Sequence, residues 1–232
     1  MRKKKEPQKK EPVEQEAGQK KNGFSIAPKF SSLSETLLAI LKFILGLCLL
    51  PLVYSVSVSF VSFFSSVDSV DQAHFWAGVV SFVIVYLFVG EPAVLYESGQ
   101  KLLEVVFGFF QPFVKVAPNL LPIFAILVSL TYGIISIFVH GAWLLHWALF
   151  FSGFFIVLHL VFSAKTVRTG KDDFLKGNYI FSFSFIYIIN VVLAALFIGI
   201  AVKGFSLGGF FTQAGVIYKD IFYAVFKQLF LY

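Results

Sequence analysis

The residues able to do chemistry in this sequence are few, and most stand inside or beside long apolar runs. Glu91, Glu97, Lys101 and Glu104 fall within one short stretch, His146 and His159 within another, and Asp172 and Asp173 lie side by side further on. An ionisable group within a hydrophobic span costs a few kcal/mol unless it is paired or reaches water, so each is a candidate for function. Glu97 and Lys101 are four residues apart and Glu104 follows three later. On a helix the three share one face, with acid before base in the favoured order. That face reads either as a solvated, salt-bridged surface or, together with Glu91, as an ion or proton path. His159 lies among apolar residues, where an imidazole usually serves an interhelical hydrogen bond. His146 stands between Trp143 and Trp147 and reads as interfacial. Lys42 is a turn or two from a helix end and can extend its ammonium to water. Asp172, next to Lys171 and close to Arg168, reads as part of a charged turn.

The elements that must position these groups are membrane helices. The 232 residues are 58% apolar, 19% aromatic and only 14% charged, whereas soluble domains are about 25% charged. The apolar residues gather into blocks of about 20 or more, the length a helix needs to cross roughly 30 Å of hydrocarbon. Outer-membrane strands would alternate apolar with polar residues, and these runs do not. The reading is an all-α, polytopic transmembrane bundle of about five spans plus a C-terminal amphipathic helix. The spans are expected from about Glu35 to Phe64, from His74 through Gly90 and on past Glu91-Pro92, from Pro122 to about Val139, from Ala142 to about Ser163, and from Tyr179 to Val202. Pro118 and Pro122 suit the first turn of a helix better than its middle. Three regions follow: a basic, disordered tail over 1–30, a transmembrane domain over 31–204, and an interfacial helix over 205–232 whose apolar residues recur at spacings of three and four.

In the tail nine bases face four acids, a surplus of about +5 within a total of +6. Beside a membrane span such a tail marks the cytoplasmic side and touches anionic headgroups; nucleic acid is not the expected partner. Alternation then places the acidic 65–73 loop outside and Lys101, Lys115 and the basic 165–176 loop inside, which agrees with the positive-inside rule. The first span is far too long for a cleavable signal core and reads as a retained anchor. Cys48, the single cysteine, offers neither a disulfide framework nor a thiolate zinc site. No phosphate-cradling glycine loop is present in the sequence.

The stretch from Glu91 to Gly108, with Tyr96-Glu97-Ser98-Gly99-Gln100 near its centre and Phe107-Gly108 at its end, resembles the active-site helix of M50-type membrane metallopeptidases. There a His-Glu-x-x-His motif is followed by small and apolar residues and a Phe-Gly. Ala117-Pro118-Asn119-Leu120-Leu121-Pro122 is similar to the Ala-Pro-x-x-x-Pro opening of that family's next span, and Leu158-His159-Leu160 with the Thr166 to Asp173 loop is similar to a later segment. The resemblance covers roughly residues 75 to 200 and rests on order and spacing.

In that motif two imidazoles four apart hold zinc on one helical face and the glutamate acts as general base. Tyr96 and Gln100 stand at the two ligand positions here, and only Glu97 is retained. A phenol with a pKa of about 10 and a carboxamide do not ligate zinc at neutral pH. Zinc is therefore expected to be lost, no metal or other cofactor is expected, and Glu97 has no activated water to deprotonate. A metal held instead by Glu97, His159 and Asp172 or Asp173 is the disfavoured alternative.

What the resemblance implies is an inactive relative, a pseudoprotease in a bacterial cytoplasmic membrane. Its pocket of Tyr96, Glu97 and Gln100, with Glu91, Glu104, His159, Asp172 and Asp173 around it, would receive a transmembrane segment of a partner without cutting it. The alternative from another class is a small membrane transport or assembly subunit using the intramembrane Glu and Lys residues.

Overall fold

A computed structural model describes residues 27–108, 117–169 and 179–230. Among them the chain is helical throughout, without a strand. It divides into a unit of residues 1–36, whose described part is the opening of the first helix, and a unit of residues 37–232 that holds everything else.

Helix α1 spans Ala27–Phe64 and so begins ahead of the expected tail boundary at residue 30. Pro51 lies inside it, and the Ser55 hydroxyl donates to the Pro51 carbonyl at 2.6 Å. Helix α2, Ser69–Ile84, starts where Asp68 caps it by accepting from the Val70 N–H at 2.8 Å. It runs into a π-helical turn over Val85–Val89. The chain does not continue as helix past Glu91-Pro92, as the apolar run suggested. Gly90 takes φ +122°, a region that side chains disfavour, and Pro92, without an N–H, caps the next helix. That helix, α3, is Ala93–Phe107. A single turn, α4 at Ala117–Leu120, precedes α5 at Ile123–Ser136, which Pro122 caps. Helix α6 covers Ala142–Thr169, longer than expected because it continues through Lys165 and Arg168. Helix α7 is Tyr179–Ala201, and α8 is Leu207–Phe230.

Among the described residues, four helical stretches are long and apolar enough to cross a membrane: Thr36–Phe64, Ser69–Val89, Ala142–Arg168 and Tyr179–Ala201. The expected span from Pro122 to Val139 is a 14-residue helix in the structure, about 21 Å at 1.5 Å per residue against a core of roughly 30 Å. The protein is thus a polytopic transmembrane helical bundle, and α5 is its short apolar member.

The bundle is held where small residues let backbones meet. Helices α2 and α6 run parallel, pairing Phe82 with Phe154 and Tyr86 with Phe162. A Cβ on Gly78 would lie 1.9 Å from the Phe150 carbonyl oxygen, and one on Gly153 2.3 Å from that of Phe75. Helix α1 meets α7 at Gly46 against the Phe181 backbone and through a 2.9 Å bond between the Ser57 and Tyr187 hydroxyls. The aromatic group of Phe60, Phe64, Phe75 and Phe205 closes the end where α1 turns into α2. Helix α8 packs through Phe210 and Ala214, while Phe222, Val225 and Phe226 stay exposed.

Candidate functional site

Helix α3 buries Tyr96, Gly99 and Leu103, at spacings of three and four, half-buries Gln100 beside them and exposes Glu97, Lys101 and Glu104. Gly99 allows this contact, since a Cβ there would come within 2.8 Å of Ile123. Tyr96 and Gln100, the two positions that match the zinc ligands of the resembled motif, therefore face inward. There they meet Asn119 from α4 and His159 and Ser163 from α6.

The five side chains form one hydrogen-bonded network. The Tyr96 hydroxyl donates to Asn119 Oδ1 at 3.3 Å, and Gln100 Nε2 donates to the same oxygen at 3.1 Å. Ser163 Oγ lies 3.3 Å from the Tyr96 oxygen, 3.2 Å from His159 Nε2 and 3.2 Å from the Asn119 carbonyl, to which it donates. Each hydroxyl has one proton to give. With Tyr96 donating to Asn119 Oδ1 and Ser163 to the Asn119 carbonyl, neither hydroxyl has a second proton for its remaining contacts. The Tyr96 ring stacks on Phe162 at 5.3 Å and tilts toward His159 at 5.9 Å. Tyr96, Asn119, His159 and Ser163 are all buried. The cavity that Tyr96, Gln100 and His159 line with Leu103, Phe124 and Phe155 holds about 10 Å³, which is about the least that admits one water.

The sequence-derived candidates divide sharply around this network. Tyr96, Gln100 and His159 converge. Glu97 does not join them, contrary to the expected pocket, because one residue along a helix is about 100° around it; it is exposed, as are Lys101 and Glu104. Glu91 is also apart from the network, paired with Lys165 across the end of α6, where the ammonium also lies 5.0 Å from the Tyr86 ring centroid. Asp172 and Asp173 lie outside the described residues. Among the described residues, no group of three or more His, Cys, Asp or Glu is placed to hold a metal ion. Asn119 and Ser163 were not legible as site residues; a single Asn between two prolines and a Ser four after His159 were the only signals, and neither is specific.

Two further features stand apart from the network. A groove of about 600 Å³ opens between α5 and α7 over α6. Ala125, Ser129 and Gly133 line one wall at intervals of four, and Ser152, 1% exposed, lies in it with no hydrogen-bond partner. At the starts of α2 and α6, the His74 and His146 rings stack at 4.2 Å, and His146 Nε2 lies 3.4 Å from Asp71 Oδ1.

The chain matches no protein-family model, no curated protein and no solved structure. Fold and site define a class: a polytopic helical membrane protein with a buried, uncharged polar network between α3, α4 and α6.

Proposed function

We propose that this protein is a non-catalytic relative of the M50-type membrane metallopeptidases that binds a transmembrane segment of a partner. The observation that carries the reading is the closure of the network: phenol, carboxamides and hydroxyl bond one another at the ligand positions, little space is left, and Glu97 points away. The set holds no carboxylate or thiolate for a metal, and its one hydroxyl–imidazole pair, Ser163 and His159, is buried with the hydroxyl bonded to the Asn119 carbonyl. In lipid, buried polar groups serve as interhelical glue worth about 0.6 kcal/mol each on average. Here they fasten α3 and α4 to α6. The groove between α5 and α7 supports the partner half of the reading, because small residues at intervals of four let a further helix approach closely. The partner lies in a cell membrane in which the basic N-terminal tail is cytoplasmic. A transport role for the carboxylates gains less support, since Glu97 and Glu104 are exposed and Glu91 is taken by Lys165.

The test is zinc stoichiometry, by elemental mass spectrometry, of purified wild type beside a Tyr96→His/Gln100→His variant. Two histidines installed there would join His159, so the variant is expected to gain about one zinc per chain while wild type holds none. Zinc in neither protein overturns the family reading, and Glu97-dependent cleavage of a membrane substrate by wild type overturns the non-catalytic one.

A further inference from the structure

At the end of the bundle where α2 and α6 begin, a cavity of about 400 Å³ is lined by His74, Trp143, His146, Trp147 and Phe150. We propose that it binds an organic cation of the quaternary-ammonium class, the chemistry of a choline group. All five lining residues are aromatic, and the volume falls within the roughly 300–1,000 Å³ of small-ligand sites. Aromatic faces are electron-rich and attract a cation that lies within about 6 Å of the ring centroid. The fixed charge beside the pocket is negative: Asp71, one turn before His74, contacts His146, and Asp68 precedes it at the cap of α2. No Lys or Arg lines the pocket or occurs between Lys42 and Lys101, so an anion finds no fixed positive charge. A metal ion suits the place poorly, because the two imidazoles lie face to face at 8° between planes and do not converge on one point. Trp143 and Trp147 are 59% and 56% exposed, which leaves the mouth open to a ligand. The proposal is independent of the α3 network and of the family reading.

An aromatic belt that merely sits at the membrane interface would not saturate with a soluble cation, and that difference is the test. The full chain, purified in maltoside and carrying Trp76→Phe, retains Trp143 and Trp147 as its only indoles. Titration with tetramethylammonium chloride is expected to change indole emission saturably, while sodium chloride at equal ionic strength does not. Asp71→Asn is expected to weaken binding about threefold or more, and so is Phe150→Leu, which leaves both indoles in place. Nanodiscs separate the two sources of the ligand. If the group is a lipid headgroup, phosphatidylcholine discs reproduce the emission change and abolish the titration, whereas phosphatidylglycerol discs do neither; a free cation titrates equally in both. Absence of a saturable change in micelles and in both kinds of disc, or a change that neither Asp71→Asn nor Phe150→Leu alters, overturns the proposal.

Discussion

One substitution, glycine to alanine, is expected to act with opposite signs at two places in this bundle. At Gly78 the added Cβ would stand 1.9 Å from the Phe150 carbonyl oxygen and 2.8 Å from its carbon, whereas real Cβ atoms almost never approach closer than 3.0 Å. Helices α2 and α6 must then part locally by about 1.1 Å, the difference between 1.9 and 3.0 Å. A radial gap of about 0.5–1 Å forfeits a quarter to a half of each dispersion contact across the interface. The clash is with backbone, so no rotamer change relieves it. Alanine's better helix propensity returns about 1 kcal/mol, and the expected net loss is that of an overpacked core, about 1–3 kcal/mol. At Gly133, at the start of the last turn of α5, a Cβ meets nothing within 4 Å, so only the propensity remains and alanine should stabilise by at most about 0.5–1 kcal/mol, the mid-helix value. Unfolding from maltoside micelles by SDS titration, followed by far-UV circular dichroism, compares both variants with wild type. Wild-type or higher stability in Gly78→Ala would refute the close α2–α6 approach, and a loss in Gly133→Ala would refute the open position of that glycine.

Three other outcomes follow from the network and the groove. Asn119→Ala deprives Tyr96 and Gln100 of a shared acceptor; with interhelical bonds at about 0.6 kcal/mol on average and 1.7 at most, the same titration should register a loss of about 1–3 kcal/mol. Glu97→Ala removes an exposed side chain and should leave stability within about 0.5 kcal/mol of wild type; a loss comparable to that of Asn119→Ala would place Glu97 in the network after all. Ser152→Ala deletes a buried hydroxyl that has no partner. In micelles without a partner protein it should be neutral or mildly stabilising, and a loss above about 1 kcal/mol would mean that the hydroxyl is bonded.

The class of this protein was legible in the sequence because hydropathy sums locally. Apolar runs place α1, α2, α6 and α7 whatever their neighbours are, and the start of α5 at Pro122 follows from the conformational limits of proline; the break at Gly90-Glu91-Pro92 did not show, because the apolar run continues across it. The polar network was half legible: spacing alone puts Tyr96 and Gln100 on one helical face. What that face meets depends on contacts between residues 23 and 67 positions apart, from Tyr96 to Asn119 and to Ser163, which no local pattern encodes. The same holds for Glu97 and Glu104, whose spacing marked a shared face and left open whether it points in or out, and for His74 and His146, which meet only because α2 and α6 run parallel. Only the tertiary structure decided these, since helical periodicity fixes which residues lie together on one helix and packing alone fixes what lies opposite them.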